Sequence, residues 1–181
     1  MMMRILVVAL LCLPLFAFAQ DQKKEQAPPT LRSILLDQLK TTHTDKDWFV
    51  TANDAVDGIT VEQANWTDGH GNHSVGQLVY HLAFWNAQML AKFKGETPAK
   101  YSGKNDDTFN NFDAKTWKDT VEQFNKGMAD LEHFVETADE KTLEKNAPQI
   151  ARLGTHNAYH IGQIVFVRRE QGSWNPEKGV K

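Results

Sequence analysis

Cysteine is nearly missing from this chain of 181 residues, and the one present, Cys12, lies in the N-terminal apolar stretch. That stretch reads as a secretory leader. Met1 to Arg4 is a short positive start, and Ile5 to Phe16 is apolar apart from Cys12 and Pro14. Ala17-Phe18-Ala19 then gives a small-x-small cleavage pattern. The run is well short of the roughly 20 residues a spanning helix needs. Cys12 follows Leu11, whereas a lipidated cysteine normally follows a small residue, which weighs against a lipoprotein. The expected product is exported, periplasmic or secreted, after cleavage near Ala19. Without residues 1–19 the mature chain has no thiol. Disulfides and cysteine nucleophiles are then excluded, and a metal site has to draw on histidine and carboxylate.

Excess positive charge is also lacking. Of 20 Lys and Arg, Arg4 leaves with the leader, so 19 remain against 23 Asp and Glu, a net charge of −4. That balance offers nothing to nucleic acid or to an anionic membrane, and neither is expected as a partner of the mature form. No Gly-rich phosphate loop, internal repeat or useful strand-period segment occurs. Nucleotide-cradle and sheet-based classes drop out with them.

What remains is helical periodicity. Residues 20–29 (QDQKKEQAPP) form a polar tether, 30–175 one all-α domain, and 176–181 a short tail. Thr30 opens a first helix whose apolar positions keep helical spacing to Gly58 across a polar middle, Thr41 to Asp47. Thr60-Val61-Glu62-Gln63 and Ser74-Val75-Gly76-Gln77 are capping boxes, the second starting a helix that runs to about Lys94. Glu96 to Asn111 reads as a polar crossover. Asp113 caps a third helix with the seam Trp117, Val121, Phe124, Met128, Leu131 and Val135. Thr137 to Pro148 reads as a second connection, and the last helix runs from about Gln149 to Gln171. The expected fold is a four-helix bundle.

The chemistry sits on the last helix. His156 and His160 are four residues apart, so their rings lie one above the other, about 6 Å apart along the axis. Leu153, Ile164 and Val167 share that face and turn it towards a core. A third histidine, His81, lies on the apolar stripe of the second helix with Leu78, Leu82, Trp85, Met89 and Phe93. Each alone is more often a hydrogen-bonded core or surface histidine than a ligand. Three inward imidazoles on two helices can instead hold one divalent metal and leave a position open, as catalytic zinc sites do. In His156-Asn157-x-x-His160 an asparagine stands where a zincin protease carries its general-base glutamate, which disfavours that class. Gln163 shares the side of His160 and is either a ligand-orienting or a packing group. Tyr80, Trp85 and Asn157 are further pocket candidates. His43, His70, His73 and His133 stand in polar contexts and are expected to be solvated. Asn65-Trp66-Thr67 and Asn72-His73-Ser74 match glycosylation sequons by chance.

Trp66, the run Ser74-Val75-Gly76-Gln77-Leu78-Val79-Tyr80-His81-Leu82 and the run His156-Asn157-Ala158-Tyr159-His160-Ile161-Gly162-Gln163-Ile164 resemble the DinB-like (DinB/YfiT) metalloenzymes. The resemblance spans essentially the whole mature chain. It implies an up-down-down-up four-helix bundle with a divalent metal, usually zinc or nickel, held by His81, His156 and His160. Some relatives are thiol-dependent transferases or isomerases. Most look intracellular, so a leader is a departure, and it weighs against a thiol-dependent role because small thiols are kept reduced chiefly inside the cell.

The leading expectation is an exported metal-dependent enzyme of the hydrolase type acting on a small molecule of unknown identity. A non-catalytic metal- or ligand-binding bundle, a thiol-dependent S-transferase and an interaction module without metal stand as alternatives. A homodimer is left open.

Overall fold

The computed structural model describes residues 28–109 and 113–179. The leader, its cleavage site and most of the tether lie outside the described residues. Six α-helices and no strands occur among them: α1 (Leu31–His43), α2 (Ala52–Val56), α3 (Val61–Asn65), α4 (Val75–Phe93), α5 (Ala114–Thr137) and α6 (Glu140–Glu170). The four long ones form the bundle, with α1 and α4 each packed along both α5 and α6.

Local sequence sets most of the boundaries. In both capping boxes the cap hydroxyl accepts from the third backbone N–H, and the glutamine returns to the cap: Thr60 with Gln63 at α3, Ser74 with Gln77 at α4. Asp113 and Thr116 close the same reciprocal pair at the start of α5. The expected first helix divides in two. Its polar middle leaves the helix after His43, and Thr51 recaps the chain by accepting from Asp54 N–H. The last helix starts nine residues earlier than expected, at Glu140 instead of Gln149, because Asp139 caps it and Pro148 lies inside it. Proline removes one N–H from the ladder, yet Leu143, Ala147 and Ile150, buried on one face, hold the first three turns against the bundle.

The core falls into two apolar clusters along the bundle. One joins α2, α3 and the start of α4 to Phe124, Met128 and the end of α6. The other joins α1 and the end of α4 to Leu131 through Val135 and the start of α6. Near their junction two fully buried asparagines, Asn86 and Asn157, each donate Nδ2 to Met128 Sδ, at 3.3 and 3.2 Å. At that level of α4 and α6 the three inward histidines are found.

Candidate metal centre

α4 presents His81 and α6 presents His156 and His160. One ring nitrogen from each lies within 4.8 Å of the other two. His81 is buried and the others are half-buried. The expected juxtaposition is therefore present. His81 Nε2 stands 3.2 Å from His156 Nε2. Two nitrogens at zinc–imidazole distance from one tetrahedral ion are about 3.3 Å apart, so the spacing suits a shared ion.

Hydrogen bonds fix which nitrogens are free. Thr108 Oγ1 gives its single hydrogen to the Asn105 carbonyl at 2.6 Å. It can then only accept from His81 Nδ1, also at 2.6 Å. His81 thus carries its proton on Nδ1 and a lone pair on Nε2. His160 Nδ1 lies 2.6 Å from Gln163 Oε1, while Gln163 Nε2 donates to the Tyr159 hydroxyl at 3.2 Å. The amide oxygen can only accept, so His160 has the same tautomer. An outer acceptor that pins the ring and frees the other nitrogen is what metal-binding histidines use. His156 Nδ1 is buried without a hydrogen-bond partner among the described residues. Its ring is placed by the helix and by the other two imidazoles, with centroids 5.2 Å from His81 and 4.6 Å from His160.

The same packing keeps the rings neutral. Burial first, then His160, His156 and His73 nearby, pushes the His81 imidazole down to about 3. Burial and His160 bring His156 down to about 4. Burial also lowers His160, against the Gln163 bond, which raises it. At neutral pH all three offer lone pairs without first losing a proton. The donor set, three imidazole nitrogens and no carboxylate among the described residues, suits a borderline-soft divalent ion.

The other candidates separate. Gln163 is the acceptor that orients His160. Trp85 stands edge-on to His81 with centroids 6.3 Å apart. Tyr80 lines a separate cleft with Phe84 and Gln88. Asn157 is spent on Met128 inside the core. His70 and His133 are exposed as expected. His43 is not: it is 6 % exposed and pairs with Glu132 at 2.7 Å, because the end of α1 lies along α5. His73 is exposed, but its ring is engaged. It stacks on Phe109 (centroids 3.7 Å), which stacks in turn on His81 (4.5 Å), a three-ring pile covering one face of the site.

Thr108 is the site residue that the sequence reading missed. It sits in a 3-10 turn, Asn105–Thr108, inside the polar crossover, and reaches His81 across 27 positions of sequence. Nothing in its local pattern distinguishes it from a loop threonine.

A helical bundle with three convergent imidazoles on two facing helices has a cluster in its core that could hold a metal ion. The chain is a member of the DinB superfamily, whose family model matches residues 43–166, a span that includes all three histidines. Comparison with curated proteins and with solved structures gives no match.

Proposed function

We propose that the protein is an exported metal-dependent enzyme of the hydrolase type, with His81, His156 and His160 holding zinc or nickel. The observation that carries this reading is the convergence of three neutral imidazoles, two with Nδ1 already tied to outer acceptors. His81, His156 and His160 would hold the ion, which would supply a Lewis acid and, if zinc, would lower the pKa of a water there to about 7.

The chain's own part is positioning and exclusion. Thr108 and Gln163 hold two rings at fixed angles, so little reorganisation is needed when the nitrogens are used. Phe109 and His73 cover one face of His81, which limits water to the remaining side. No carboxylate joins the cluster among the described residues, so a strong protein base is not part of the proposal. That same gap favours a second reading, metal or ligand binding without turnover.

The two readings separate in a screen of ester, amide and phosphoester substrates on the metal-loaded protein, with His160→Ala as blank. Turnover that is lost in the blank and needs no thiol is the expected result. Activity equal to the blank throughout would favour the binding protein, and turnover that depends on an added thiol would overturn the hydrolase reading.

Export rests on the charged start, the apolar run and Ala17-Phe18-Ala19. N-terminal sequencing of the extracytoplasmic protein is expected to begin at Gln20. A product retaining Met1 in the cytoplasm would refute it.

A further inference from the structure

Beside the histidines, α4, α6 and the loop before α4 enclose a cavity of about 390 Å³. Leu78, close to one turn before His81, forms part of the α4 wall, and Gln163, Phe166 and Glu170 come from α6 beyond His160. The loop before α4 contributes Trp66 and Asp68. Gln163 belongs to both places: it accepts from His160 and lines the cavity. None of the three histidines lines the cavity; it adjoins them through Gln163 and through His73, the outer ring of the pile on His81.

Two carboxylates, Asp68 and Glu170, line the cavity beside one histidine, His73, and no Lys or Arg does among the described residues. Neither carboxylate enters an ion pair among those residues. Asp68 is pre-ordered, accepting from His70 N–H at 2.9 Å and from Asn72 Nδ2 at 2.5 Å. Aromatic surface faces the same space. Trp66 is half-buried, and Phe166 stays 61 % exposed on a helix whose neighbouring positions Ile164, Val165 and Val167 are buried. Aromatic faces beside unpaired carboxylates in a concave site suit an organic cation with an apolar body, which gains from both the charge and the ring quadrupoles.

We infer that this cavity receives the positively charged end of an elongated substrate, an amine or guanidinium on an apolar chain, while its other end reaches the histidines. The inference rests on the proposed function for its second half only; the cation site itself needs no turnover. Helix rise places Glu170 roughly 15 Å past His160 along the axis, so the charged and reacting groups are separated by a chain of about that length.

The test is calorimetric titration with 4-phenylbutylammonium and its neutral counterpart 4-phenylbutanol, on the mature protein with and without zinc. The ammonium is expected to bind about tenfold more tightly than the alcohol, as a carboxylate pair with aromatic faces allows. The preference should fall severalfold in Glu170→Gln and vanish in the Asp68→Asn/Glu170→Gln double variant, with zinc content unchanged. His160→Ala should keep the preference, so a failed metal reading leaves this result standing and the reverse also holds. Equal binding of the two probes, no binding of either, or a preference that survives the double variant would overturn the proposal.

Discussion

Replacing His81, His156 or His160 by alanine is expected to strip most of the bound metal from the purified protein, whereas His133→Ala leaves it in place. Each of the three contributes one nitrogen to a set spanning 4.8 Å. Loss of one leaves two imidazoles and, among the described residues, no carboxylate in the cluster to replace the third. The penalty should exceed the roughly 10–100-fold that removal of an outer partner costs, because a direct ligand is lost. His133 is exposed on α5, away from the cluster, and serves as the control. The fold should survive in all four variants. Trp117, Phe124, Met128, Leu131 and Val135 on α5 are buried and supply apolar contact on which none of the substituted rings depends. Metal analysis beside circular dichroism reads both quantities. Metal content unchanged in all three histidine variants would remove the site assignment, and a collapse of helicity would mean that the rings act as core rather than as ligands.

The histidine site was legible in the sequence because its signal is local. His156 and His160 are one helical turn apart, and His81 shares a stripe with Leu78 and Leu82, so burial and direction follow from the 3.6-residue repeat. The seam of α5 and the caps at Thr60, Ser74 and Asp113 were readable on the same grounds. Where a proline stood for a boundary, the reading failed. Pro148 reads as the end of a connection, but Asp139 caps the helix and Leu143 and Ala147 have a core to enter, so it starts at Glu140. Long-range pairing was invisible. His43 looks solvated beside Thr44 and Asp45, and only the packing of α1 along α5 brings Glu132 to it. The pile of His73, Phe109 and His81 likewise depends on the crossover folding back over α4, which no periodicity records.

Thr108 belongs to that hidden set, and its substitution is the sharpest test of how the histidines are held. Thr108→Val keeps shape and volume close to native and removes only the hydroxyl. His81 Nδ1–H, on a ring 3 % exposed, then loses its acceptor. An unmet buried donor costs about 1–3 kcal/mol, so the ring is driven to place its proton elsewhere. The alternative tautomer puts that proton on Nε2, the atom that faces His156 at 3.2 Å, and the lone pair leaves the site. Metal affinity is expected to fall by roughly 10–100-fold, read by competition with a chelator of known strength. Thr108→Ser, which retains an oxygen able to accept from His81 and donate to the Asn105 carbonyl, should restore most of it. A purely packing role predicts the opposite ordering: valine close to native, and serine, which loses the methyl group, the weaker variant. Affinity in Thr108→Val within about twofold of native, on the usual tenfold-per-1.4 kcal/mol scale, would show that His81 does not depend on this bond for its tautomer.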